Sequence, residues 1–164
     1  MLIRFLLPLI LLPAIGVAGE TLTGKVESVT DGDTIAVLSP EKREVKIRLD
    51  GIDAPERKQP YYSKSRKALG DLVAGREVLV EIKGEDRYKR KIGVVRLAST
   101  NVNEKLVRDG WAWRFVQYAK DNKALADAEQ EARKERRGLW ADSKPPVPPW
   151  ESRTMSSARR EKQR

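Results

Sequence analysis

The segment REVKIRLDGIDAPE, residues 43–56, carries the clearest structural signal in this sequence. Its first half alternates between apolar and charged side chains, with Val45, Ile47 and Leu49 on one face. Such alternation is typical of a strand that is buried on one side. Gly51 then permits a sharp bend or bulge, and a loop with two carboxylates follows. The segment therefore predicts one wall of a small sheet that ends in an acidic loop.

Further strands and helices surround this segment. Two strand-like stretches precede it and two follow it, so that strands are predicted at 22–29, 33–38, 43–49, 77–83 and 92–98. Ser63, Asn101 and either Asp121 or Asn122 are candidate N-caps for three helices, predicted over 63–73, 101–110 and 121–138. Five short strands with a helix between the third and fourth favour a five-stranded OB-fold barrel with three helices, an α+β fold that is mainly β.

Both ends of the chain carry signals of their own. Residues 1–19 combine Arg4, a long apolar run and small residues near a plausible cleavage point, which is typical of a signal peptide. We therefore expect a secreted or periplasmic protein that leaves the membrane after cleavage; an uncleaved anchor is the alternative. The OB-fold domain is predicted at 20–142, and residues 143–164 are predicted to be a proline-rich arm with a basic, disordered tail.

The composition limits the chemistry that this chain can perform. It has 33 Lys and Arg against 24 Asp and Glu, and a net charge of +9 attracts polyanions such as nucleic acid, anionic lipid or acidic polysaccharide. It has no Cys and no His, which excludes disulfides, thiolate metal sites, Ser-His-Asp triads and histidine-based ribonuclease chemistry. Catalysis must then use carboxylates, Arg, Lys, Tyr, hydroxyl groups or a metal held by oxygen, which suits calcium, magnesium or manganese.

Two acidic segments and two arginines could together form a site that cuts phosphodiesters. The segments at 31–34 (DGDT) and 53–56 (DAPE) each place two carboxylates in a turn. Together they can form an incomplete oxygen cage that leaves positions open for water and a phosphate oxygen. Arg48 and Arg90 can each contact a phosphate with two N–H groups. Each feature alone is more often a solvated turn or a surface charge, so only the combination indicates phosphodiester hydrolysis.

Four motifs in this sequence resemble, in order, the signatures of the staphylococcal nuclease (thermonuclease) family. They lie at 29–34, 47–56, 86–90 and 102–110, and the resemblance extends over about 22–140. It implies the SNase-like OB-fold and a calcium-dependent nuclease. An enzyme of this family hydrolyses both DNA and RNA and leaves a 5′-hydroxyl and a 3′-phosphate.

The resemblance also implies a role for each matching residue. Calcium would be held by two carboxylates and one main-chain carbonyl, those of Asp33, Asp53 and Ala54. Glu56 would be the general base that acts on the attacking water. Arg48 and Arg90 would clamp the scissile phosphate. Asp31 matches an acidic position near the metal.

Substrate binding is where this sequence departs most from the family. Tyr88 and Tyr118 match positions that line the nucleotide pocket. Val116 stands where another pocket tyrosine is expected, although Phe115 could replace its ring. Lys89 replaces a glycine beside the second arginine and could alter that loop. These departures bear on nucleotide binding more than on the chemistry.

Two other functions are alternatives to an active nuclease. One is a catalytically inactive OB-fold module that only binds nucleic acid, and the other is an exported barrel that binds oligosaccharide or envelope. A binding module needs basic groups but has no use for a base beside an oxygen cage. The complete set favours the enzyme: Asp33, Arg48, Asp53, Glu56 and Arg90. We expect DNA and RNA as substrates, no stable protein partner and a monomer.

Overall fold

Long strands form the barrel that the sequence predicts. The computed structural model describes residues 19–161; the predicted signal peptide, except its last residue, lies outside them, as do residues 162–164. The strands are β1 Thr21–Asp31, β2 Thr34–Leu38, β3 Glu44–Leu49, β4 Ile52–Asp53, β5 Glu77–Glu85, β6 Lys91–Leu97, β7 Thr100–Asn101 and β8 Trp113–Arg114. The helices are α1 Tyr62–Val73, α2 Val102–Arg108, α3 Lys123–Lys134 and α4 Pro149–Glu161, with a 3-10 turn at Gly138–Trp140.

The sheet closes on itself through one parallel contact. Its strand order is β3-β2-β1-β5-β6-β7, and consecutive neighbours in this order are antiparallel. The parallel contact joins β3 to β6, with Ile47 opposite Lys91 and Arg48 opposite Ile92. A separate two-stranded ribbon pairs β4 with β8. The five-stranded OB-fold barrel is therefore confirmed.

The inward faces of the strands form the core, as their alternation predicts. Ile47 and Leu49 of β3 are buried, and so are Val78 and Val80 of β5. A second apolar cluster joins Trp113, Ala132, Leu139 and Trp140. This second cluster attaches the C-terminal part of the chain to the barrel.

The helix starts follow the prediction at two of three places. The side chains of Asn101 and Asn122 each accept a hydrogen bond from the backbone N–H three residues later, as N-caps do. The prediction that Ser63 caps α1 is wrong. The chain enters α1 through Tyr61, whose φ of 68° lies in the left-handed region and whose side chain makes no capping bond. This geometry places Ser63 inside the first helical turn.

The C-terminal segment corrects the prediction most clearly. α3 ends at Lys134 rather than Gly138, and a fourth helix, α4, occupies the stretch that was predicted to be disordered. Proline is tolerated in a first helical turn because the N–H it lacks has no partner there, so Pro149 can begin this helix. The Trp150 ring anchors α4, since it stacks on Phe115 with 5.2 Å between centroids. Among the described helices, none has the length and apolar character that crossing a bilayer requires.

Candidate active site

One cleft gathers most of the residues that the sequence singled out. Its volume is about 330 Å³. Six of the eight predicted site residues line it, namely Asp33, Arg48, Asp53, Ala54, Glu56 and Arg90. Asp31 lines it as well, as do Arg57 and Arg153, which the sequence analysis did not select.

Neighbouring strands place these side chains side by side. Asp33 lies in the turn between β1 and β2, and its carbonyl accepts a hydrogen bond from the Leu49 N–H at 2.8 Å. Arg48 lies on β3 opposite Thr34 of β2 and opposite Ile92 of β6. Arg90 immediately precedes β6. The closed barrel thus brings together residues from three motifs.

A close backbone approach joins the two acidic segments. Asp33 Oδ2 accepts a hydrogen bond from the Ala54 N–H at 2.8 Å. A Cβ atom at Gly32 would lie 1.9 Å from Ser65 Oγ and 2.7 Å from Ala54 Cβ. Only glycine fits between α1 and the acidic loop, because any side chain would push the two apart. Gly32 therefore sets the separation of the two acidic segments.

The Arg48 guanidinium lies between the two predicted metal ligands. Its Nη1 is 2.8 Å from Asp33 Oδ2, and its Nη2 is 2.8 Å from Asp53 Oδ1. Nη1 also donates to the Ile52 carbonyl at 2.9 Å. The two carboxylates therefore contact the two Nη groups of one guanidinium.

The two carboxylates are not fully compensated by the arginines around them. Burial raises the pKa of Asp33 to about 7 against the opposing effect of Arg48, and the charges of Asp31 and Asp53 add to the increase. Burial likewise raises the pKa of Asp53, although Arg48 and Arg153 oppose it. Buried carboxylates with raised pKa values gain from additional positive charge between them.

The donor set fits a hard cation. Asp33 and Asp53 offer carboxylate oxygens and Ala54 offers its carbonyl, and such all-oxygen sets suit calcium. Within residues 19–161, no three side chains from Asp, Glu, His or Cys are grouped to hold a metal ion. The two carboxylates and the Ala54 carbonyl are fewer than the six to eight ligands of calcium, so water and substrate would have to complete the coordination.

Glu56 lies at the solvent side of this cleft. Its side chain is 47% exposed, and its backbone N–H donates to Gln59 Oε1 at 2.7 Å. Its carboxylate pairs with Nη1 of Arg153 from α4. The other nitrogen of that guanidinium, Nη2, lies 2.8 Å from Asp53 Oδ2. Arg153 was not predicted because the sequence of this stretch indicates disorder; Trp150 is the only aromatic residue in 143–164 that could have signalled packing.

A compact hairpin positions Arg90. Asp86 accepts hydrogen bonds from the backbone N–H groups of Tyr88 at 2.8 Å and Arg90 at 3.0 Å. Its Oδ2 lies 2.7 Å from Arg90 Nε. Lys89 adopts a φ of 64°, the left-handed conformation that glycine adopts without strain. The loop thus holds Arg90 in the cleft although lysine stands where the family has glycine.

The two predicted nucleotide-binding tyrosines lie outside the residues that line the cleft. Tyr88 is 65% exposed, and its ring centroid is 5.7 Å from the Arg90 guanidinium. Tyr118 is 69% exposed and packs edge-on against Phe115 at 4.9 Å. Their contact with a nucleotide stays a prediction.

Asn103 has a supporting role that sequence analysis did not identify. It is buried on α2, and its Oδ1 accepts the Val95 N–H of β6 at 3.0 Å. Its Nδ2 donates to the carbonyls of Asp50 at 2.9 Å and Gly93 at 3.2 Å. This side chain therefore fastens α2 to the strands that carry Arg48 and Arg90.

Comparison with known proteins adds an independent finding. A family model described as "Staphylococcal nuclease homologue" matches residues 46–142. An "Uncharacterized endonuclease" of Haemophilus influenzae is 40% identical over 129 residues, which cover 79% of this chain and 72% of the relative. An "Uncharacterized endonuclease" of Escherichia coli is 47% identical over 128 residues, 77% of this chain and 82% of the relative. A "Micrococcal nuclease" of Shigella flexneri is 39% identical over 143 residues, 81% of each.

Proposed function

Because the chain belongs to the staphylococcal nuclease family, we propose that it is a calcium-dependent nuclease that hydrolyses the phosphodiester bonds of DNA and RNA. Nuclease activity is supported by the family and by the names of the relatives. The observation that carries the finer proposal is the Arg48 guanidinium between the Asp33 and Asp53 carboxylates, in a cleft that Glu56 and Arg90 also line.

The metal would be held by oxygen atoms that the barrel already brings together. These are the carboxylates of Asp33 and Asp53 and the carbonyl of Ala54. A calcium ion bound there supplies Lewis-acid polarisation of a phosphoryl oxygen and neutralises charge that develops on it. Burial raises the pKa of both carboxylates against the opposing charge of Arg48, and a bound cation would favour their ionised forms.

Glu56 is proposed as the general base. Its carboxylate is open to solvent at the edge of the cleft, so a water molecule can reach it. A positioned base that removes a proton from the attacking water typically contributes about 10²- to 10⁴-fold in rate. The chain has no histidine to take this role, and Glu56 is the exposed carboxylate of the cleft, whereas Asp33 and Asp53 are buried and Asp31 is partly buried.

Arg48 and Arg90 are proposed to bind the scissile phosphate. A planar guanidinium matches two phosphate oxygens at once, which an ammonium group does not. Asp86 pairs with Nε of Arg90. Nη1 of Arg90 makes only one contact, of 3.3 Å, with Thr34 Oγ1. The outer edge of this guanidinium is therefore available to an anionic ligand. The net charge of +9 would favour the approach of a polyanion.

The products and the location belong to the same proposal. We propose cleavage that leaves a 5′-hydroxyl and a 3′-phosphate, by a monomer exported through the predicted signal peptide. The apolar run within residues 1–19 supports export.

Digestion of plasmid and RNA by residues 20–164 tests the proposed activity. Cutting is expected with calcium, and little or none with magnesium or with a chelator. A polynucleotide kinase should label the new 5′ ends without prior phosphatase treatment, because those ends carry a hydroxyl. Equal cutting in chelator would refute the metal assignment, and oligonucleotide binding without cutting under any metal would indicate the inactive binding module instead.

A further inference from the structure

The C-terminal helix α4 adds one positively charged side chain, Arg153, to the cleft, and this residue does not belong to the barrel motifs. Arg153 of α4 lies 97 residues after Glu56 and 100 after Asp53, yet it pairs with both carboxylates. Its Nη1 contacts Glu56 Oε1, and its Nη2 lies 2.8 Å from Asp53 Oδ2. A single guanidinium therefore spans the proposed base and a proposed metal ligand.

Aromatic and polar contacts hold α4 in this place. Trp150 stacks on Phe115 with an interplanar angle of 8° and packs edge-on against Trp113 at 6.3 Å. Before the helix, the Val147 carbonyl accepts a hydrogen bond from Gln59 Nε2 of the acidic loop at 3.2 Å. The contacts with the acidic loop are few and close to solvent, since the Arg153 side chain is 46% exposed. They can break without unfolding the barrel.

This arrangement conflicts with the chemistry proposed for the same groups. A carboxylate that accepts charged hydrogen bonds from a guanidinium is a poorer base towards water. Arg48 already contacts Asp53 Oδ1, so with Arg153 on Oδ2 both oxygens of this carboxylate are paired with guanidinium groups and neither is free for a divalent cation. We propose that α4 is an autoinhibitory segment, in which Arg153 competes with the divalent cation for Asp53 and Glu56, so that the cleft becomes active when α4 moves away. This inference rests on the proposed function of the cleft.

The contacts of Arg153 resemble those of Arg48 and distinguish it from Arg90, the other proposed phosphate clamp. Both Nη groups of Arg153 face carboxylates. Arg90, by contrast, is held to Asp86 through Nε. In this conformation both Nη groups of Arg153 are paired with carboxylates of the same chain, and a phosphate would have to displace those carboxylates.

Calcium affinity of the full chain tests this competition directly. The variants are Arg153→Gln and a matched control, Arg57→Gln. Arg57 lines the same cleft and carries the same charge, and among the described residues it forms no ion pair. Titration calorimetry is expected to show that Arg153→Gln binds calcium about 3- to 10-fold more tightly than the wild type, because two partly exposed ion pairs no longer oppose binding. The control is expected to change affinity by less than about twofold, since an exposed charge is screened.

Hydrogen exchange gives a second readout that does not depend on catalysis. In the wild type, the backbone amides of α4 after Pro149 should exchange slowly without calcium and faster at saturating calcium. In Arg153→Gln they should exchange fast in both conditions. An unchanged calcium affinity in Arg153→Gln, or a weaker affinity for oligonucleotide with unchanged calcium binding, would overturn the proposal; the second result would make Arg153 a substrate-binding residue.

The same samples separate this inference from the proposed function. At saturating calcium both the wild type and Arg153→Gln should cut DNA, with the variant active at lower calcium. Tighter calcium binding in a variant that cuts nothing, beside a wild type that cuts nothing, would refute the nuclease proposal while supporting the competition for the cation.

Discussion

Asp33 and Ala54 are joined by a hydrogen bond of 2.8 Å between the carboxylate Oδ2 and the main-chain N–H, across 21 residues of sequence. This bond connects the turn before β2 with the acidic loop, the two segments that supply the oxygen donors of the cleft. Asp33 therefore has a structural task and, in the proposed enzyme, a metal-binding task. Substitution can separate the two.

Asp33→Asn is expected to keep the fold and lose the metal. The amide oxygen of the introduced asparagine can accept hydrogen bonds from the Ala54 N–H and from Arg48, as Asp33 Oδ2 does. Its NH₂ group would face the Thr34 hydroxyl oxygen, which can accept a hydrogen bond. Unfolding in urea should therefore change by less than about 1 kcal/mol, whereas Asp33→Ala should lose about 1–3 kcal/mol because it leaves buried donors unpaired. Calcium affinity should fall at least about tenfold in both. Equal, large destabilisation in both variants would contradict this separation.

Glu56→Gln should abolish turnover while substrate binding persists. The amide keeps the size of the side chain but cannot take a proton, so we expect a loss of about 10²- to 10⁴-fold in rate. Oligonucleotide affinity, measured by fluorescence anisotropy in calcium, should stay close to that of the wild type. Glu27→Gln on the exposed face of β1 is the control and should retain full activity. If Glu56→Gln were equally active, the base would have to be another group.

Arg48→Lys keeps the positive charge and removes the planar fork. Lysine cannot bridge two oxygens in the same way, so the expected loss is on the order of 10²- to 10³-fold in kcat/KM on an oligonucleotide. Thermal unfolding must be measured beside it, because Arg48 also bridges Asp33 and Asp53. Arg76→Lys, at an exposed position, serves as the control. A rate equal to that of the wild type would remove Arg48 from the site.

Gly32→Ala tests whether the tight approach of the two acidic segments is required. The added methyl group would overlap Ser65 Oγ and Ala54 Cβ, so the variant should lose about 1–3 kcal/mol of stability and most of its calcium affinity. Gly70→Ala is the matched control inside α1, where a Cβ meets nothing within 4 Å. That control should gain about 0.5–1 kcal/mol from helix propensity. Urea unfolding curves with calcium titrations compare the pair, and a fully tolerated Gly32→Ala would show that the loop can shift freely.

Local pattern was sufficient to predict the barrel and the position of most site residues. The alternation of Val45, Ile47 and Leu49 fixes which face of β3 is buried and therefore sends Arg48 to the other face. Once the strands pair, the motifs that carry Asp33 and Arg90 have to lie beside it. The period of the apolar residues and the order of the motifs along the chain contain this information, so it could be predicted from the sequence alone.

The parts that sequence could not supply depend on contacts between distant segments. Arg153 reaches Asp53 only because Trp150 finds a stacking partner in Phe115, and no local pattern encodes that pairing. The start of α1 depends on the left-handed backbone of Tyr61, which residue preferences assign to glycine or asparagine. Composition likewise described the tail as polar, whereas its helix is stabilised by tertiary packing of Trp150 on Phe115 and Trp113.

The parallel joint between β3 and β6 contains Arg48 at its centre, opposite Ile92, with only one register pair on either side. Among the contacts between neighbouring strands of the barrel this one has the fewest register pairs, so we expect it to open first, although Asn103 also bridges it. Separation of β3 from β6 would move Arg48 away from the cleft, while the longer antiparallel strand pairs remain intact. Nuclease activity is therefore expected to disappear at a lower urea concentration than the circular dichroism signal of the sheet. Loss of activity would then report the separation of β3 from β6 before the sheet unfolds.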